Sequence, residues 1–356
     1  MLSLKQIEEI REHLERAQNP LFYYDNDADG LCAFILFKRM FGRGKGVAVR
    51  SYPNLDERYA RKASELKADY VFVLDKPLIS REFIEEMDKL QIPLVWIDHH
   101  DVSSDEYTKE YGNFYCYNPN RLKGKEKSDE PVSYIAYKTA GKKEDIWIAL
   151  MGCISDHYLP DFADEFGEKY GELWAKNIKK PFDAYFKTEI GRIARALNFG
   201  LKDSVTNVVH LQNFLASVNT PGEIFSETKE NSAFRKKYLE IRKKYNALLE
   251  KAKTEVEDKM VFFVYSGDLS ISSDLANELC YLYPEKYVVV AFQKGPIANI
   301  SFRGKNAKKI LDKIIKEVEN MTGGGHEEAV GARIQSKDLD KFKEILEREI
   351  EAIVKS

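Results

Sequence analysis

The stretch Leu21-Phe22-Tyr23-Tyr24-Asp25-Asn26-Asp27-Ala28-Asp29-Gly30 opens on four apolar or aromatic residues and closes on alternating aspartates. A helical apolar pattern, Leu31 to Phe41, follows at once. The spacing predicts a buried strand, an acidic turn and a helix. Outward from it, Met1 to Gln18 has the charged amphipathic pattern of a helix rather than of a signal peptide. Val47 to Tyr52, Tyr70 to Leu74 and Leu94 to Ile97 have the composition of buried strands, separated by helical patterns over Glu57 to Lys67 and Arg81 to Leu90. Strands alternating with helices imply a doubly wound parallel sheet. Residues 131–155 then have helical spacing, with Pro131 suited to a helix start.

Residues 160–225 carry more helical than strand spacing and are expected to cap the first domain, 1–225. A charged segment with Tyr238, Ile241, Tyr245 and Leu248 at helical spacing predicts a connecting helix over 226–258. From Val261 a strand and helix alternation resumes, so 259–356 is expected to be a smaller α/β domain, with a cleft between the two. The 356 residues are 44% hydrophobic and 32% charged, a globular composition with enough material for two domains. A formal charge of −3 argues against a general duplex-coating protein but leaves room for a local basic face. Cys32, Cys116, Cys153 and Cys280 form no CxxC pair, which disfavours a zinc or disulfide framework and suits a reducing cytoplasm. No apolar run approaches the ~20 residues of a membrane span, so a soluble cytoplasmic protein is expected.

The acidic residues fall at strand ends. Asp25-x-Asp27-x-Asp29-Gly30 follows the first strand, Asp75 follows Val71-Phe72-Val73-Leu74, and Asp98-His99-His100 follows Val95-Trp96-Ile97. Ligands of open parallel sheets bind beyond the carboxyl ends of strands, so these groups point at one crevice. Asp156, after the apolar run Trp147 to Ile154, is placed to close it from the side. Clustered carboxylates repel one another unless a cation neutralises them. Oxygen ligands with one or two imidazoles favour Mn²⁺ or Mg²⁺. Paired ions ~3.5–4 Å apart are a recurring device of phosphoester hydrolysis. A calcium loop is the competing reading of the aspartates, but Leu36 stands where an EF-hand needs glutamate.

Gly323-Gly324-Gly325-His326 is the second motif. Three consecutive glycines have two readings, a plain flexible turn or close backbone approach, in which amides exposed at a helix N-terminus would suit a phosphate. Arg303, ending Ile300-Ser301-Phe302, is a candidate partner for the same anion. His157 is expected to be structural, and Asp161, Asp164, Glu165 and Glu168 to be solvated helix surface. The basic run Arg235 to Lys244 has two readings, a guide for nucleic acid or an exposed helix balanced by glutamates.

These motifs resemble, in order, those of the DHH phosphoesterase family, in its RecJ-like exonuclease and nanoRNase branch with a C-terminal DHH-associated domain. Asp25 to Gly30, Asp75, Asp98-His99-His100 and Gly152-Cys153-Ile154-Ser155-Asp156 match its four N-terminal motifs. Gly323 to His326 with Ala329-Val330-Gly331-Ala332 match the C-terminal one. The resemblance implies that Asp25, Asp27, Asp29, Asp75, His99 and Asp156 hold two divalent ions, with Asp75 bridging. It implies that His100 faces the scissile phosphate, that Asp98 orients the histidines, and that Arg303, Gly323, Gly324, Gly325 and His326 hold the substrate. Lys76-Pro77 departs from the family, whose members commonly have small residues there, and Phe162 to Gly222 matches no family motif.

The function expected from this match is exonucleolytic hydrolysis of single-stranded DNA, RNA or short oligonucleotides, with Mn²⁺ preferred or Mg²⁺. A phosphodiesterase for linear or cyclic dinucleotides or other small phosphoesters is the alternative enzyme. A replication-associated nucleic-acid-binding scaffold is the alternative of another class. The family's setting also raises a replication or repair protein as partner.

Overall fold

The computed structural model describes residues 1–51, 54–101, 110–122, 127–325 and 327–355. The chain divides into two compact units, Met1–Tyr238 and Leu239–Ser356. The division falls inside one helix, Ser232–Thr254.

The first unit is built on a five-stranded parallel sheet. Its strands are β1 (Pro20–Asp25), β2 (Lys45–Val49), β4 (Tyr70–Leu74), β6 (Leu94–Ile97) and β7 (Phe114–Tyr117), in the order β2-β1-β4-β6-β7. A short parallel pair, β3 (Asn54–Leu55) and β5 (Leu78–Ile79), stands apart from it. The three central strands β1, β4 and β6 are buried on both faces, as a sheet covered by helices on both sides requires. On one face Tyr23, Val71, Val73 and Trp96 pack with Phe83, Ile84 and Met87 of the helix Arg81–Lys89. On the other, Phe22 packs rings with Phe34 and Phe37 of the helix Ala28–Phe41, at 5.4 and 6.2 Å between centroids.

Three helices of this unit pack around Gly152. A Cβ there would run into Ser133 Oγ and come within 3.0 Å of Cys32 Cβ. Glycine therefore lets Ile146–Ser155 pack directly on Val132–Ala140 and Ala28–Phe41. Residues beyond Pro160 form the helices Ala163–Lys169, Pro181–Lys187, Glu189–Gly200 and Val205–Ser217.

Most elements read from the sequence lie within a few residues of their expected places, with specific exceptions. The helix after the first strand begins at Ala28 rather than Leu31, because Asp27 caps it by accepting from Gly30 N at 3.0 Å. Glu57 to Lys67 is a 3₁₀ turn followed by a short helix, Arg61–Glu65. Residues 131–155 form two helices separated at Gly141, whose left-handed backbone (φ 67) ends the first. Strand β7 has no counterpart in the sequence reading. Its polar-flanked Phe-Tyr-Cys-Tyr is short and half-exposed in its middle, so it carries neither alternation nor a long apolar run.

The second unit is a smaller α/β body with a mixed sheet, ordered β11-β12-β10-β9-β8. These strands are β8 (Met260–Ser266), β9 (Tyr287–Lys294), β10 (Ile297–Arg303), β11 (Thr322–Gly325) and β12 (Ala329–Gln335). β8 and β9 run parallel, and the other neighbours are antiparallel. Val289, Ile300, Phe302 and Val330 form its core with Ile310, Leu311 and Ile314 of the helix Ala307–Glu317 and Phe342, Leu346 and Ile350 of the helix Leu339–Lys355. Among the described residues, no helix is long and apolar enough to cross a membrane.

Candidate metal centre

β1, β4 and β6 are adjacent and parallel, so their carboxyl ends share one edge of the sheet. Asp25 ends β1, Asp75 follows β4, and Asp98-His99-His100 follows β6. Asp75 adopts a left-handed backbone (φ 58) although it is not glycine, and its amide donates to Ile97 O at 2.9 Å. Such strain persists only where the surroundings enforce it, and it turns the buried carboxylate toward β6. Asp156 enters from the C-terminal end of the helix Ile146–Ser155.

His99 is the centre of this group. Its Nε2 lies 3.0 Å from Asp156 Oδ2 and 3.3 Å from Asp75 Oδ1. Its Nδ1 lies 3.2 Å from Asp129 O, so the Nδ1–H donates there and Nε2 is the ring atom aimed at the carboxylates. His99 Nε2 and Asp75 Oδ1 are buried and lack a hydrogen bond of good geometry despite this approach. Buried ligand-type atoms that converge without such a bond are what a cation would satisfy. Ligand atoms of Asp75, His99 and His100 lie within 4.8 Å of one another, as do those of Asp29, His99 and Asp156. The chain thus carries acidic and histidine groups able to hold a metal.

The electrostatics agree with this fit. Burial, then the charges of Asp25, Asp29 and Asp156, pushes Asp27 up to about 7. Burial and Asp156 push Asp29 up to about 6, and burial with Asp27 and Asp29 holds Asp75 well above the carboxylate range. Burial opposes charge on His99, but Asp156 and Asp75 outweigh it and raise the imidazole. Carboxylates that cannot all ionise unaided form a site that a divalent cation would stabilise.

Supporting residues hold the loop after β6. Asp98 Oδ1 lies 2.8 Å from His100 Nδ1, and Asp98 Oδ2 accepts from His100 N and Asn118 Nδ2, each at 3.1 Å. Asn118 also donates to His100 O at 3.0 Å, and Asn120 donates to His99 O at 2.8 Å. Asp29 accepts from Val132 N at 2.8 Å, Ser133 N at 3.0 Å and Ser133 Oγ, capping the helix Val132–Ala140 from the first motif. Asp25 takes a different partner, the buried Lys76, whose Nζ lies 2.8 Å from Asp25 Oδ1. Asn118, Asn120, Asp129, Ser133 and Lys76 were not singled out as site residues from the sequence. For the two asparagines the missed signal is the strand end they follow, since β7 itself went unread.

His157 has a left-handed backbone (φ 56) and stacks on Phe182 at 4.1 Å. Asp161 pairs with Lys138 at 3.0 Å on the surface. In the basic run, Arg235 lies 3.3 Å from Glu227 and Lys244 lies 3.2 Å from Glu240.

In the second unit the expectation of a helix N-terminus at the glycines is overturned. Gly323, Gly324 and Gly325 lie in β11, paired antiparallel with Ala332, Gly331 and Val330 of β12. A Cβ on Gly323 would meet Gly331 O at 2.7 Å, and Gly325 has φ 140 with Ala329 O 2.5 Å from its would-be Cβ. Close hairpin pairing therefore accounts for both. Arg303 ends β10, where it donates to Asn277 Oδ1 at 2.7 Å, Ser273 Oγ at 3.0 Å, Phe302 O at 3.0 Å and Val330 O at 3.2 Å. His326 lies outside the described residues.

The family model of the DHHA1 domain matches residues 257–352. No curated protein matches the chain in sequence. In fold, the chain is similar to the DHH domain of a protein described as a member of a family of ribosomal proteins. That match has a TM-score of 0.68 and 14% identity, and covers 98% of this chain and 90% of the other. RecJ from Thermus thermophilus in complex with Mn²⁺ gives a TM-score of 0.61 at 16% identity, covering 98% of this chain and 55% of RecJ. A pGpG-specific phosphodiesterase, PggH from Vibrio cholerae, gives 0.51 at 14% identity, covering 94% of this chain and 99% of that one.

Proposed function

We propose that this chain, a DHH-family, RecJ-like protein with a DHHA1 domain, is a metal-dependent phosphoesterase that cleaves single-stranded DNA, RNA or short oligonucleotides from one end. The observation that carries the reading is the meeting of Asp75, His99 and Asp156 at the carboxyl edge of a parallel sheet, with Asp75 Oδ1 and His99 Nε2 buried and lacking a hydrogen bond of good geometry. Asp25, Asp27, Asp29, Asp75, His99 and Asp156 would hold two divalent cations, Mn²⁺ or Mg²⁺. When bound, such ions supply water activation and oxyanion stabilisation.

The chain's own groups do the rest. Asp98 holds His100 in place, and it keeps the imidazole more basic than usual despite burial, so His100 can present a cation to a phosphoryl oxygen. Arg303 and His326 of the second unit would hold the substrate. A fold likeness to a protein described as exonuclease RecJ bound to manganese supports the nucleic-acid reading. The likeness to PggH supports a second reading, a phosphodiesterase for dinucleotides.

An end-labelled panel of DNA and RNA of varied length, incubated with Mn²⁺ or Mg²⁺, separates these. Stepwise shortening of long single strands supports the exonuclease. Activity confined to dinucleotides supports the second reading, and binding without turnover in either metal rejects both.

A further inference from the structure

Lys76 is fully buried, a costly position for an ammonium group unless an anion meets it. Its Nζ lies 2.8 Å from Asp25 Oδ1 and 2.7 Å from Ser51 O. Trp96 Nε1 donates to its carbonyl at 2.8 Å, which fixes the backbone that carries it. The left-handed turn at Asp75 sends neighbouring side chains to different partners, Asp75 toward His99 and Lys76 toward Asp25.

The ligand geometry splits along the same line. Among the described residues, the trios able to hold an ion are Asp75, His99, His100 and Asp29, His99, Asp156, and neither includes Asp25 or Asp27. Asp27 Oδ1 instead caps the helix Ala28–Phe41. One side of the cluster converges on imidazole, and the other already faces a cation of the protein's own.

We infer that Lys76 is a resident counter-ion for Asp25 that makes the metal centre unequal, with one divalent ion held tightly at Asp29, Asp75, His99 and Asp156 and a second held weakly on the Asp25 side. The inference rests on the metal-dependent reading above. The ammonium occupies a carboxylate oxygen that the second ion needs, and it repels that ion at short range. Lys76 is thus a positioning residue that sets how much metal the site holds at a given concentration.

Titrating metal-free full-length protein with Mn²⁺, with the free ion read by electron paramagnetic resonance, tests this without any substrate. One tight ion per chain is expected, and a second binding about 100-fold more weakly. Lys76→Met keeps most of the side chain's length and removes its charge. It should tighten the second ion about tenfold and leave the first within about threefold. Asp25→Asn should likewise leave the tight ion within about threefold, and it decides the matter even if the Lys76 variant does not fold. Two ions of equal affinity in the wild type, an unchanged second ion in Lys76→Met, or loss of the tight ion in Asp25→Asn would each overturn the inference while leaving a metal-dependent enzyme intact. A wild-type chain that binds no Mn²⁺ removes both.

Discussion

His99 Nε2 stands 3.0 Å from Asp156 Oδ2, joining a residue that follows a sheet strand to one that ends a helix 57 positions later in the chain. The contact ties the parallel sheet to the helix Ile146–Ser155, and its carboxylate helps keep the imidazole charged when no cation is present. Asp75, 3.3 Å away on the other side, makes His99 the shared member of the cluster.

Removing either carboxylate should therefore disable metal-dependent chemistry while leaving the sheet intact. Asp75→Ala and Asp156→Asn are expected to lower Mn²⁺-dependent cleavage by at least on the order of 100-fold. Initial rates on short single strands, with circular dichroism to check folding, measure this. Full activity in a folded Asp75→Ala would sink the proposed site.

Asn118→Ala touches none of the proposed ligands but removes the donor shared by Asp98 and His100 O. Loss of such a supporting group typically costs roughly 10- to 100-fold in metal affinity or activity, and about that loss is expected here. A matched titration of Mn²⁺ against rate would show whether affinity or turnover carries it.

The metal-free protein should lose stability as pH rises. Asp27 and Asp29 are pushed up to about 7 and about 6 in the folded chain, above their unfolded values near 3.9. A raised folded value contributes stability that is complete below the unfolded value and lost as pH climbs through the folded one. The raised His99 works in the same direction. The melting temperature in chelator is thus expected to be lower at about pH 8 than at about pH 5, and added Mn²⁺ should raise the value at the higher pH most. A melting temperature in chelator that rises across that interval contradicts this.

Gly152→Ala forces a methyl group against Ser133 Oγ and to 3.0 Å from Cys32 Cβ, where three helices meet. Overpacking of this kind costs about 1–3 kcal/mol. Because Ser133 also donates to Asp29, weaker Mn²⁺ binding should accompany the lower melting temperature. A variant as stable as the wild type would mean that the helices separate without cost.

The order of strands and the acidic residues that end them were readable in the linear chain. Alternating buried runs have little choice but a parallel sheet covered on both faces, and that topology brings Asp25, Asp75 and Asp98 to one edge. Local pattern also sufficed for the helix Ser232–Thr254 and for most strands of the second unit. It failed where long-range contact decides conformation. The glycines at 323–325 look like a phosphate loop in isolation, yet they pair with β12, and at Gly323 and Gly325 only a missing Cβ admits its carbonyls so closely. Strand β7 is held by its pairing with β6, not by any pattern of its own, and Asn118 and Asn120 went unread with it.

The first motif shows the same division at the level of single atoms. Composition and spacing mark Asp25, Asp27 and Asp29 as equivalent carboxylates at a strand end. In the folded chain they are three different groups: Asp25 is paired with Lys76, Asp27 caps a helix, and Asp29 is buried under the start of another. Spacing along the chain sets which side chains reach an edge of the sheet, because backbone geometry is local. What each side chain meets there depends on Ser51, Lys76, His99, Val132, Ser133 and Asp156, brought in by packing across the unit. Desolvation and charge then act through those partners, and they give three chemically identical aspartates different roles.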